Sequence, residues 1–165
     1  CGHAYPALRF EAPEHLGGAP PFEVMAISEF LARELRDGRL KLRNIGNGKK
    51  VTYHDPCKIG RHGGVFEEPR ELFAALGVDL REMESHGKTQ YCCGGGGGVF
   101  MLSGSDELRR RTFEIKKRQV EDSGADSVVT SCDTCRMTLS QGAQQTNWNR
   151  PVESLVELVA ANLAD

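Results

Sequence analysis

Cys57, the adjacent pair Cys92 and Cys93, and the C-x-x-C pair Cys132 and Cys135 form one ordered series. Thirty-four residues separate Cys57 from the adjacent pair, and 38 separate that pair from Cys132. Thiolates are the ligands that select zinc, copper(I) and iron-sulfur clusters, and ligands so far apart in sequence must be gathered from three separate loops. Five consecutive glycines, Gly94 to Gly98, follow the adjacent pair directly. The pattern points to a soft-metal site and to redox chemistry on a cluster.

A disulfide scaffold is the first rival. Such scaffolds are short and cysteine-dense, whereas 165 residues suffice to bury a core without staples. Neighbouring cysteines such as Cys92 and Cys93 bridge only with strain, because their Cα atoms lie about 3.8 Å apart, below the usual disulfide range. Adjacent thiols with a C-x-x-C suit a reducing compartment, hence the cytoplasm or the cytoplasmic face of a membrane-associated complex. A net charge of -2 points to neither nucleic acid nor an anionic membrane. No segment reaches the roughly 18 apolar residues of a membrane helix; the longest candidate, Ser154 to Ala164, is interrupted by Glu157 and Asn162. The chain opens on Cys1, which reads as a piece of a longer polypeptide and leaves an upstream targeting segment open.

The elements that must position the thiols alternate in type. Residues 1–21 are rich in proline and glycine and read as an irregular lead-in. Val24, Ile27, Leu31 and Leu35 recur at helical spacing before Asp37-Gly38. Val51 to His54 is β-prone and runs into Pro56-Cys57. Glu68 to Leu76 reads as a helix stopped by Gly77, and Val78 to Met83 as a second strand. Ser105 or Asp106 caps a long helix to Asp122, with Leu108, Ile115 and Gln119 on one face. Ser127 to Ser131 is the clearest buried strand, with Cys132 next in sequence. Pro151-Val152 is β-prone and leads into a helix aligning Leu155, Val159 and Leu163. The alternation predicts an α/β domain, a parallel sheet flanked by helices on both faces, with the cysteines on loops at the carboxyl ends of the strands. The division expected is 1–49 as lead-in and amphipathic helix, and 50–165 as the cysteine-bearing domain.

Local chemistry supports thiolate ligation. A helix opening at Asp133 or Thr134 puts the C-x-x-C sulfurs at its amino-terminal turn, where free N-H groups and the dipole favour anions. A lone C-x-x-C suits a zinc half-site or a redox dithiol equally well. The backbone of Gly94, Gly95 and Gly96, lacking Cβ atoms, can approach a cluster closely and aim N-H groups at its sulfurs. A dinucleotide fingerprint starting at Gly94 would need glycine where Val99 stands. Five thiolates exceed by one what a tetrahedral zinc or an ordinary cubane requires, so either one is spare or the cluster is unusual.

His54-Asp55-Pro56-Cys57, Gly60-Arg61, Glu68-Pro69-Arg70, Cys92-Cys93-Gly94 and Cys132-Asp133-Thr134-Cys135 together resemble the cysteine-rich CCG domain. That domain occurs in heterodisulfide reductase catalytic subunits and in related iron-sulfur oxidoreductases, including glycolate oxidase, lactate-utilisation and anaerobic glycerol-3-phosphate dehydrogenase subunits. The match runs from about Val51 to Leu163. The resemblance implies an α/β domain often present twice in one chain, an oxidoreductase, and Cys57, Cys92, Cys93, Cys132 and Cys135 as ligands of a [4Fe-4S] cluster, noncubane in heterodisulfide reductase, where it cleaves a disulfide. Zinc is the alternative metal, in a noncatalytic module serving assembly or electron passage. Cys1-Gly2-His3-Ala4 resembles the closing cysteine motif of a preceding CCG module, which makes this chain the second of a pair. The partners implied are the remainder of a longer chain, with ferredoxin-like and first CCG modules, or other redox subunits, and a thiol or disulfide substrate.

His54 is a candidate for hydrogen bonding a cluster sulfur or passing a proton to a departing thiolate, with a structural strand-end role as the rival. Arg61, with Lys58 and His62, is a candidate for steering an anionic substrate. Arg109-Arg110-Arg111 and Lys116-Lys117-Arg118, interspersed with Glu107 and Glu114, read as the solvated face of a helix.

Overall fold

The computed structural model describes residues 2–46 and 48–164. β-branched residues flanked by turns build a four-stranded, all-parallel sheet: β1 Lys50–Tyr53, β2 Asp79–Leu80, β3 Ser127–Thr130 and β4 Val152–Ser154, in the order β2-β1-β3-β4. Val51 pairs with Ser127 and Tyr53 with Val129, and Val128 pairs with Val152. The central strand β3 is buried along its whole length, as a parallel strand covered on both faces must be.

Among the described residues, seven α-helices accompany the sheet: α1 Ala4–Pro6, α2 Ala12–Leu16, α3 Ile27–Arg36, α4 Glu67–Leu76, α5 Asp106–Asp122, α6 Asp133–Gln145 and α7 Leu155–Ala160. Alternation along the strands sorts two cores. Val51, Tyr53 and Val129 pack with Leu72, Phe73 and Leu76 of α4 and Leu155, Leu158 and Val159 of α7. On the other side Val128 packs with Met83 and Val120 of α5, and Phe113 of α5 with Leu139 and Ala143 of α6. The α5–α6 approach depends on Gly142, where a Cβ would fall 2.2 Å from Phe113 Cγ. The α/β class and the helical cover on both faces are as expected from the alternation.

Four local expectations differ. The lead-in is helical, Ala4–Pro6 and Ala12–Leu16 being joined by a π-helical turn, Ala7–Glu11. Its prolines do not forbid this, since Pro13 sits in the first turn of α2, where no N-H is required. The strand expected over Val78 to Met83 contracts to Asp79–Leu80, an edge strand with one neighbour. Helix α5 buries Phe113, Lys116 and Val120, not the face of Leu108, Ile115 and Gln119; Leu108 is exposed. Helix α7 stops at Ala160, and Leu163 instead forms an isolated antiparallel bridge with Leu42.

Candidate metal centre

Each cysteine loop starts at a chain reversal that the local sequence requires. His54 extends β1 by donating its N-H to Val129 O at 2.9 Å, after which Pro56 ends the ladder. A tight turn follows, with Gly60 N-H donating to Pro56 O at 2.8 Å, and Cys57 stands at its start. Cys132 follows β3 as the N-cap residue of α6, so Cys135 lies on the first turn of that helix. Cys57, Cys93, Cys132 and Cys135 line one cleft together with Gly2, His3, Lys58, Gly96 and Thr134. Cys93, Cys132 and Cys135 are buried, Cys57 is half-buried and Cys92 is exposed.

Two of the charged residues flanking Cys57 lock its loop to the loop of Cys92 and Cys93. Asp55 is fully buried. It accepts from Arg70 Nη1 and Nη2 at 2.9 and 3.1 Å and from the Gly87 N-H at 2.8 Å. Arg70 also donates to Glu82 at 2.7 Å. Arg61, the candidate for substrate steering, donates to the carbonyls of Lys88 at 3.0 Å and Gln90 at 2.6 Å. Its guanidinium therefore clamps the backbone just ahead of Cys92. Asp55, Arg61 and Arg70, three of the residues that make the sequence recognisable, act as scaffold for the thiols.

The five cysteine side chains form a continuous series of neighbours, running from Cys57 through Cys92, Cys93 and Cys135 to Cys132. Their proton affinities separate accordingly. Cys92 is held far below the ordinary thiol range by hydrogen bonds from Cys57 and Cys93, aided by the N-H groups of Gly94 and Gly96 and opposed by burial. Cys132 is lowered to about 5, first by Cys135 and then by the N-H groups of Cys135, Gly2 and Thr134. Cys57 is raised because it donates to Cys92, with burial adding to this. Cys135 is raised because it donates to Cys132 and Cys93 and is itself buried. For Cys93 the hydrogen bond with Cys135 acts downward, but Cys92 and burial outweigh it and set the thiol at about 11.

The glycine run wraps this centre. Gly94 N-H lies 3.3 Å from Cys92 Sγ, and Gly95 N-H lies 3.5 Å from Cys93 Sγ. Gly94 adopts φ 87°, a left-handed conformation that glycine accepts without strain. At Gly95 a Cβ would meet Thr138 Oγ1 at 2.0 Å, whereas at Gly96 it would meet nothing within 4 Å. Glycine is therefore required sterically at the first two positions and not at the third. The run is also tied to the amino-terminal segment, Gly97 N-H donating to His3 Nε2 at 3.3 Å. Cys1 lies outside the described residues, but Gly2 and His3 reach the cleft, and a Cβ on Gly2 would fall 3.3 Å from Cys132 Sγ.

His54 is 1% exposed, and neither ring nitrogen has a hydrogen-bond partner among the described residues. A nitrogen of its ring and the sulfurs of Cys93 and Cys135 all lie within 4.8 Å of one another. Burial, followed by the nearby Lys116 charge, lowers its pKa to about 3, so the imidazole is neutral at neutral pH. The donor set fits an iron-sulfur group on three counts: sulfur ligands from three loops, backbone N-H groups aimed at two of them, and buried imidazole nitrogens left for a further acceptor or ion.

Sequence reasoning missed Lys116, whose side chain is buried in this layer, and the contribution of Gly2 and His3. Lys116 was legible in principle: Phe113, Lys116 and Val120 fall at i, i+3 and i+7 on the buried face of α5.

An α/β sheet presenting five cysteines at its loop end defines a class of cysteine-rich redox domains. The chain belongs to the CCG cysteine-rich domain family, whose model matches residues 51–140. It is 36% identical over 164 residues to a subunit of the dihydromethanophenazine:CoB–CoM heterodisulfide reductase of Methanosarcina barkeri, covering 99% of this chain and 39% of that protein. It is 34% identical to the EtfAB:quinone oxidoreductase of Syntrophomonas wolfei, over 87% of this chain and 20% of that protein. A probable iron-sulfur-binding oxidoreductase, FadF, of Bacillus subtilis is 29% identical over 98% of this chain and 22% of its own length. The chain thus spans about two fifths or less of the length of these curated relatives.

Proposed function

We propose that this chain is an iron-sulfur oxidoreductase module, the second CCG module of a heterodisulfide-reductase-like subunit. In it Cys57, Cys92, Cys93, Cys132 and Cys135 hold a [4Fe-4S] cluster of noncubane type. The observation that carries the proposal is the unbroken series of five neighbouring sulfurs, two of them receiving N-H groups from the glycine run. When bound, such a cluster supplies one-electron steps and an iron that accepts a substrate sulfur.

The substrate class is a disulfide and its pair of thiols. Reduction breaks the S-S bond and consumes two electrons and two protons, and a one-electron redox partner in the same chain or complex supplies the electrons. The chain's own residues exclude water from Cys93, Cys132 and Cys135 and hold the loops in register through Asp55 and Arg61. His54, neutral and without a hydrogen-bond partner among the described residues, stands beside Cys93 and Cys135 and is the group that would give an N-H to a cluster sulfur or relay a proton to a departing thiolate. The exposed edge, next to Cys92, is the side for substrate or partner; the exposed Met101 and Met137 line an adjoining groove with Phe100. A module with free thiols of this kind works on the reducing, cytoplasmic side of a membrane or in the cytoplasm. No helix among the described residues is long and apolar enough to cross a membrane.

A second proposal has its own observation. His54, Cys93 and Cys135 within 4.8 Å are also a mixed nitrogen and sulfur set of the kind zinc accepts, and a zinc module would serve assembly and not catalysis. Purification without oxygen, with iron, acid-labile sulfide and zinc assayed beside visible and EPR spectra, separates the two. Stoichiometric iron and sulfide with an EPR signal perturbed by added thiol are expected. Stoichiometric zinc without sulfide would reject the redox proposal, and an unchanged spectrum after replacement of either Cys92 or Cys93 by serine would reject ligation by all five cysteines.

A further inference from the structure

We infer that Lys116 is the buried counter-charge of the cysteine centre and sets its redox poise, an inference that rests on the iron-sulfur assignment above. Lysine is among the residues least often fully buried, yet Lys116 is 1% exposed in the middle of α5. Among the described residues, its ammonium has one polar partner, Met83 Sδ at 3.8 Å, a weak acceptor that does not neutralise a charge.

Its position on α5 explains what the charge faces. Phe113, one turn earlier on the same helix, packs with Cys93, Cys132 and Cys135, and Val120, one turn later, packs with Met83 and Val128. Lys116 thus stands on the buried face of α5 between the contact with the cysteine layer and the contact with Met83 and Val128. The groups that hold its charge are, in order of strength, Cys93, Asp55, Cys92 and Cys135, three of them proposed ligands. Asp55 is already paired through both oxygens with Arg70, so its charge is largely offset. The unmatched partners of Lys116 are therefore the cysteine sulfurs, which become thiolates when they hold a metal. Burial lowers the lysine to about 8 against their pull, and the same cation opposes protonation of His54.

A thiolate-held iron-sulfur centre is anionic, and its potential depends on net charge and burial. A fixed cation in a dry layer interacts with it far more strongly than a solvated one, and adding an electron makes the centre more negative. Lys116 therefore favours the reduced state. Arg110 and Arg111 of this helix pair with Glu107 at the surface, and Arg109 pairs with Asp106.

The test uses the native full-length protein, purified without oxygen, with the signal of this centre identified by its loss in Cys92→Ser. Lys116→Met keeps the length and apolar stem of the side chain and removes the charge. A redox titration followed by EPR should show the reduction equilibrium of this centre at least tenfold less favourable, a 59 mV fall for a one-electron couple. Lys116→Arg keeps the charge and should leave that equilibrium within about threefold of wild type. A wild-type midpoint in Lys116→Met, or equal shifts in both variants, overturns the inference, because packing and not charge would then be responsible. If Lys116→Met does not load a cluster, loading in Lys116→Arg supports the inference and failure in both overturns it. Wild-type protein that carries zinc and no sulfide rejects the iron-sulfur assignment itself, and the inference with it.

Discussion

Replacing Gly95 with alanine isolates the steric role of one glycine beside the metal centre. The new methyl carbon would stand 2.0 Å from Thr138 Oγ1, 3.1 Å from its Cβ and 3.3 Å from its Cγ2, where nonbonded heavy atoms prefer about 3.5 Å or more. Rotation of Thr138 does not resolve the clash: its hydroxyl is bonded to Thr134 O at 2.8 Å, and the Cβ contact remains in every rotamer. Overpacking of this kind costs about 1–3 kcal/mol, offset by roughly 0.4–1 kcal/mol from the reduced freedom of the unfolded chain. The net loss is therefore about 1–2 kcal/mol. With a urea m-value of about 2 kcal/mol/M, the unfolding midpoint of metal-free protein should fall by about 0.5–1 M. Thr138→Ala removes the two outer atoms and should rescue Gly95→Ala with a coupling of about 1 kcal/mol in a double-mutant cycle. Gly96→Ala, whose methyl meets nothing within 4 Å, should change stability by no more than about 0.5 kcal/mol. Equal losses for Gly95→Ala and Gly96→Ala, or strict additivity with Thr138→Ala, would refute the close-approach account.

Three other outcomes are expected. Asp55→Ala leaves the half-buried Arg70 without its main partner and should cost about 3 kcal/mol, the lower end for a broken buried pair, because Glu82 still holds the guanidinium; urea unfolding checks this, and a loss under about 1 kcal/mol would contradict it. The folded-state pKa of His54 lies below its ordinary value, at about 3, so the unfolded chain protonates first. Its contribution is intact above about pH 6.5 and is lost as pH falls towards 3. Stability of metal-free His54→Leu relative to wild type should therefore rise between pH 7 and pH 4.5, and parallel pH profiles would count against a buried neutral imidazole. Zinc held by His54, Cys93 and Cys135 must displace the protons of the two raised thiols, so zinc titrated into the metal-free protein should release about two protons and bind more tightly as pH rises. Calorimetry in buffers of different ionisation enthalpy measures that number, and release near zero would refute zinc ligation by these two thiols.

The cysteine spacing, the β-prone runs before Cys57 and Cys132, and the Gly38 and Gly77 stops are local signals. Residue type and backbone preference carry them without tertiary help, so the α/β class and the five thiols were legible from sequence. The strand expected over Val78 to Met83 was not a local matter. Its length is decided by how far an edge strand finds a partner, and β1 offers Asp79 and Leu80 register partners. The lead-in failed for a related reason, because proline restrains only one turn while packing of Tyr5 against Ile59 and Val65 favours helix around it.

Sequence by itself determined the ligand types, their order and the family motifs, because these depend on side-chain chemistry and spacing. Only the tertiary structure decided what the motif residues do. It turned Arg61 into a clamp on the Cys92 loop, Asp55 and Arg70 into a brace, and Lys116 from a presumed surface lysine into a buried one. A charged side chain looks the same in a sequence whether water or a thiolate is beside it. The packing around it sets the dielectric and the neighbours, and these decide its role.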